Sequence, residues 1–148
     1  MFIFVEDILI RRKQLRLLHL EKRGGRVWEE IEVKVPATEA WKLYGSLQLA
    51  KIVGEGLPNL FNKVEVVEGD GSPGTIVHID FAPGLSETSG LATAAGPSWL
   101  REKFTVVDDE RRVKEAEVVE GGYLDLGFTL YRVRWKDGVW DCFFNDFE

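Results

Sequence analysis

The chain has 148 residues, 45% apolar and 30% charged, the size and balance of one soluble globular domain. A net charge of −6 and a pI near 5.1 argue against nucleic acid as the main partner. The single cysteine, Cys142, excludes an internal disulfide framework, and no run of about 18 apolar residues offers a membrane span.

Residues 1–26 hold seven basic and three acidic residues, a charge of +4, which leaves −10 on the rest. The break falls at Gly24-Gly25 and sets the expected organisation: a basic extension over 1–26, then one domain over 27–148. Met1–Val5 is too short, and too soon followed by Glu6 and Asp7, for a secretory segment, so the expected location is cytoplasmic. Residues 7–22 allow a weakly amphipathic helix or an irregular extension, and the second is preferred. Past Gly25, Val27, Ile31, Val33 and Val35 alternate with charged residues as a strand that Pro36 ends. Ala37 to Tyr44 is a short helix stopped by Gly45. Ser46 caps a second, Leu47 to Val53. Strands follow at about 61–68, 74–82, 99–107, 111–120 and 123–135, with turns at 69–74, 108–110 and 121–122. Residues 83–98 have loop composition, and a last short strand fits Val139 to Phe144. The Gly-rich run Gly69–Gly74 lacks the Gly-Lys-Ser/Thr ending of a phosphate cradle and is expected to be a hairpin turn. The layout is α+β, built on an antiparallel meander.

Period-two alternation places Leu100, Glu102, Phe104 and Val106 on one face of a strand. On the next strand, Lys114, Ala116 and Val118 fall together. A charge on a buried face costs several kcal/mol unless it is paired or used. Glu102 and Lys114 are therefore the candidates for chemistry, with a buried ion pair as the structural alternative. Tyr131 and Val133 share one phase of the last long strand, and Tyr131 could offer a phenol. Asp125 shares that phase but lies near a hairpin end. His78, between Ile76 and Asp80, reads as a strand histidine with its hydrogen bonds met. His19 and His78 have no neighbours at metal-ligand spacing, so neither a metal nor a cofactor is expected.

The segments 32–41, 68–75, 101–104 and 120–127, in this order, resemble the Bet v 1 or plant pathogenesis-related class 10 family of the START-like superfamily, in its norcoclaurine-synthase-like branch. The resemblance runs over about residues 27–135. It implies a helix-grip fold: a curved antiparallel sheet, two short helices and a long C-terminal helix around an apolar cavity. It also implies a cavity that takes small apolar or aromatic plant metabolites in a defence setting. In the synthase-type relatives an amine and an aldehyde condense to an iminium ion that an electron-rich ring attacks. By position Glu102 matches the family's carboxylate base and Lys114 its proton-donating lysine. Leu100 stands where the family has a tyrosine and Val133 where it has an aspartate, so Leu100, Phe104, Tyr131 and Val133 are expected to line the ligand site. Slow or absent condensation follows from those two replacements. An abscisic-acid-receptor-like phosphatase inhibitor is a further reading, with Phe81–Gly84 near the place of the receptors' gate loop. After Trp135 the chain departs from the family, and the long C-terminal helix is expected to be missing. The uncovered sheet face would then need a lid from the N-terminal segment or from a second copy.

Overall fold

A computed structural model of the chain describes residues 16–21, 24–30, 36–56, 58, 61–82, 98–125, 127–136 and 139–145. Among the described residues eight strands form one antiparallel sheet: β1 (Arg16–Glu21), β2 (Gly24–Glu30), β3 (Phe61–Glu68), β4 (Ile76–Phe81), β5 (Trp99–Asp108), β6 (Val113–Gly121), β7 (Leu130–Lys136) and β8 (Val139–Asn145). Their order is β1-β2-β8-β7-β6-β5-β4-β3. Two helices, α1 (Ala37–Tyr44) and α2 (Gln48–Gly56), join β2 to β3.

Helix α1 begins where Pro36, in extended conformation, offers its carbonyl to the Glu39 and Ala40 amides. It ends at Gly45, whose amide bonds Trp41 O at 2.7 Å. Ala40, Trp41 and Tyr44 turn one face inward, and Leu49 and Val53, one turn apart, do so on α2. Ser46 Oγ caps the second helix by accepting from the Gln48 amide at 3.2 Å. Trp135 of β7 stacks on Tyr44 (centroids 4.9 Å apart) and on Trp41 (5.4 Å), which fastens α1 to the sheet. Trp41 Nε1 also donates to Asp109 Oδ1 at 2.8 Å, in the β5–β6 turn.

The Gly-rich run is the β3–β4 turn. Gly69, Gly71 and Gly74 all have φ near +100°. A Cβ on Gly69 would lie 2.5 Å from Thr75 Oγ1, which is itself fixed by the Gly71 amide and the Ser72 carbonyl.

Several expectations need correction. Residues 16–21 are neither helix nor irregular extension: they form β1, paired antiparallel to β2. Residues 1–15 and 31–35 lie outside the described residues, as do 83–97, which hold part of the gate-loop match. No strand spans 123–135. Gly121 and Gly122 take φ of +70° and +58°, and the chain makes a 3₁₀ turn at Gly122–Leu124 before β7 starts at Leu130.

The face assignment of Val106 also fails. Phe104 pairs with Ala116, but Val106 pairs with Glu115, so Thr105 is a bulge residue. The bulge reverses the phase, and Val107, opposite Lys114, packs on the core instead. A second register shift, between Arg101 and Glu102, leaves Val119 without a cross-strand partner on β5 and 46% exposed.

Candidate functional site

The inward face of β4–β7 and the inner faces of the two helices line a cavity that is open to solvent. Its walls are mostly apolar: Val77 and Ile79 on β4, Phe104 on β5, Ala116 on β6, Val133 and Trp135 on β7, with Tyr44, Leu49, Ala50 and Val53 from the helices and Val64 from β3. Two ionisable groups of opposite charge type, Glu102 and Lys114, face into it.

Strand alternation explains both. β5 buries Leu100, Glu102 and Phe104 and turns Arg101, Lys103 and Thr105 outward. Arg101, His78 and Glu120 form a polar row on the outer face, where Arg101 bonds Glu120 at 2.8 Å and His78 is hydrogen-bonded to Asp80 at 2.9 Å and stacked on Trp99. His78 therefore lies on the opposite face from the cavity, with partners of its own.

Glu102 is 7% exposed. Burial pushes its carboxyl above the usual range, and the attraction of Lys114 only partly offsets this. Burial also lowers the Lys114 amine to about 8, again opposed by Glu102. Each group shifts the titration of the other, yet the two do not meet as a contact ion pair. Lys114 Nζ instead lies 3.9 Å from the centroid of the Phe104 ring and donates a long hydrogen bond (3.4 Å) to the Ser46 carbonyl. Tyr44, on the helix side, has its hydroxyl pushed up to about 12 by burial, so it stays a neutral phenol at physiological pH.

Of the six residues singled out in the sequence, Glu102, Lys114, Phe104 and Val133 come together on the cavity wall. Leu100 is buried in the core and Tyr131 packs against it half-buried; neither lines the cavity. Asp125 is exposed. Sequence reasoning missed Tyr44 and Trp135. Trp135 shares the phase of Val133, and Tyr44 lies three residues after Trp41 on the apolar side of α1, so both signals were available. Among the described residues no group of three or more His, Cys, Asp or Glu is placed to hold a metal ion.

Known proteins resemble this chain in sequence and in fold. No family model matches the chain. The norbelladine synthase of Narcissus pseudonarcissus is 42% identical over 110 residues, covering 74% of this chain and 62% of that protein. The S-norcoclaurine synthase of Thalictrum flavum subsp. glaucum is 40% identical over 105 residues, covering 71% and 45%. The chain thus spans about half to three-fifths of the length of these curated relatives. Against the X-ray structure of norcoclaurine synthase from Thalictrum flavum it superposes with a TM-score of 0.68 at 30% identity, covering 92% of this chain and 82% of that one.

The chain belongs to the Bet v 1-like family, in its norcoclaurine-synthase-like branch.

A ginseng major latex-like protein 151 from Panax ginseng shares the fold at a TM-score of 0.66 and 16% identity. The α+β reading with a curved antiparallel sheet and two short helices is that of this family. Another structure of the Thalictrum enzyme is a complex with dopamine and hydroxybenzaldehyde. Within the Bet v 1-like cavity of the present chain, an acid and a base of perturbed strength face one apolar space. That arrangement suits proton transfer to and from a small bound molecule.

Proposed function

We propose that the chain binds a small aromatic or apolar plant metabolite in this cavity and retains the capacity to condense an aromatic amine with an aldehyde there. The observation that carries the reading is the placement of Glu102 and Lys114 on one apolar wall without a contact ion pair. Two charges locked together would be a structural device. Two groups out of contact, with burial making the carboxylate a stronger base and the ammonium a stronger acid, remain able to exchange protons with a bound ligand. In this scheme protonated Lys114 donates to the carbonyl or hemiaminal oxygen, which leaves as water when the iminium ion forms. The Glu102 carboxylate takes a proton from the phenol of the amine partner and makes its ring the better nucleophile. Phe104, Ala116 and Val133 give the rings an apolar wall to lie against. Leu100 and Val133 supply no polar group, so the rate is expected to fall below that of relatives with all four site residues; one missing polar contact to a transition state typically costs about 10²–10³-fold. A cytoplasmic, defence-related setting accompanies this reading.

The test is product formation from dopamine and 4-hydroxyphenylacetaldehyde, followed by chiral chromatography, beside titration with an apolar fluorescent probe. Saturable probe binding together with stereoselective product that Lys114→Met abolishes supports the reading. Saturable binding with only racemic background product leaves a binding protein and removes the enzyme. Linear, non-saturating fluorescence removes both.

A further inference from the structure

We propose that Lys114 is a reactive centre in its own right, whose amine captures aldehydes bearing aromatic or apolar side chains as a covalent imine. This rests on the reading of the cavity as an aldehyde site but goes beyond proton donation.

Burial in an apolar cavity separates Lys114 from the exposed Lys51 and Lys103, and its neighbours separate it from Lys42 and Lys63. Lys42 and Lys63 are solvent-exposed, and each is paired with a carboxylate at 2.6 Å, Glu39 and Glu65. At Lys63 the contact favours the protonated, non-nucleophilic amine. Among the described residues no carboxylate touches Lys114 Nζ: a carbonyl oxygen lies at 3.4 Å and an aromatic face at 3.9 Å. A neutral amine can keep the hydrogen bond to the Ser46 carbonyl and still present its lone pair. Phe104, Val133 and Trp135 around it offer an apolar bed for the aldehyde's side chain. A desolvated lysine in an apolar pocket is a common setting for imine chemistry, and the lowered basicity of Lys114 agrees with it.

The step balances with the groups present. The neutral amine attacks the carbonyl carbon, a C–N bond forms, and a proton moves from nitrogen to oxygen to give the carbinolamine. The protonated carboxyl of Glu102, the next inward residue along β5 from Phe104, delivers a proton to the hydroxyl. The C–O bond breaks, water leaves and an iminium ion remains. Loss of the nitrogen proton to the Glu102 carboxylate yields the imine and restores the carboxyl. The sum is amine plus aldehyde to imine plus water, with no redox partner.

The experiment treats the full chain with phenylacetaldehyde and cyanoborohydride at pH 7 and maps the reduced adducts by peptide mass spectrometry. At that pH the neutral amine is on the order of 10² times more abundant at Lys114 than at an ordinary lysine. Its lower basicity gives back part of that advantage. Labelling of Lys114 at least about tenfold faster than of Lys51, Lys63 and Lys103 is expected, with the preference lost in urea. Lys114→Arg should remove this adduct and leave the others unchanged. Equal labelling of Lys114 and the exposed lysines, or none at Lys114, overturns the proposal. The two readings fail separately. Condensation product without a Lys114 adduct removes only the imine, and an adduct without product removes only the condensing enzyme.

Discussion

Replacing Lys114 by methionine tests the electrostatics of the cavity on stability alone. Burial holds the amine near 8 against an ordinary value of 10.5. At 1.36 kcal/mol per pH unit, carrying the buried charge costs the folded state about 3 kcal/mol below pH 8. The attraction of Glu102 is already contained in that figure. Methionine has similar length and no charge, so the cost disappears. Against this, the variant loses the contact with the Phe104 ring, about 0.5–2 kcal/mol, and the hydrogen bond to Ser46, about 1 kcal/mol. A net gain of about 1 kcal/mol at pH 7 is expected from these opposing effects. The sign follows from proton counts. Between pH 8 and 10.5 the unfolded chain keeps the Lys114 proton and the folded chain has lost it, so the stability of the natural chain rises with pH across that window. The advantage of Lys114→Met is therefore fully present below pH 8 and gone by pH 10.5. Urea unfolding at the two pH values measures it. With an ordinary m-value, the midpoint should move up by about 0.5 M at pH 7, with m unchanged. A variant less stable than the natural chain at pH 7, or a difference that does not change with pH, would refute the picture of a desolvated ammonium.

Glu102→Gln probes the other partner. Because burial raises the folded-state pKa of Glu102, its neutral form is favoured in the fold, and that stabilising effect is lost as pH rises from about 4.5 through the raised value. The glutamine variant should lack this decline, so the urea midpoints of the two chains should diverge as pH increases and agree at low pH. In the β3–β4 turn, Gly69→Ala places a Cβ 2.5 Å from Thr75 Oγ1 at a φ of +97°, and a loss of about 1–3 kcal/mol in thermal or urea unfolding is expected. An unchanged midpoint would mean that the turn relaxes without cost.

Much of this architecture was legible because it is local. Pro36, Gly45 and Ser46 bracket the helices where capping chemistry puts them, and α1 occupies Ala37–Tyr44 as the sequence indicates. Strict alternation from Leu100 to Phe104 turned Glu102 inward, and the phase of Lys114 with Ala116 and Val118 did the same. What was not legible depends on pairing between distant residues. The bulge at Thr105 has no composition signal, and it moved Val107 rather than Val106 onto the core. β1 is weakly patterned and is defined by its register with β2. Lys114 was expected either to act freely or to lie in contact with Glu102. Its docking on the Ser46 carbonyl, 68 positions away, arises only when α1 is stacked onto Trp135. Leu100 and Val133, assigned together to the ligand wall, are separated: Leu100 is buried in the core beside Gly122 of the 3₁₀ turn, and Val133 lines the cavity.

The central claim is that Glu102 and Lys114 act as base and acid on a ligand held between them, and the pH dependence of condensation tests it most directly. With dopamine and 4-hydroxyphenylacetaldehyde, kcat/KM should trace a bell. The acid limb should rise as Glu102 loses its proton, above the usual carboxylate range, and the alkaline limb should fall near pH 8 as Lys114 loses its own. Lys114→Met should remove the enzyme-dependent rate altogether. A profile without these limbs, or one that survives unchanged in Lys114→Met, would contradict the account.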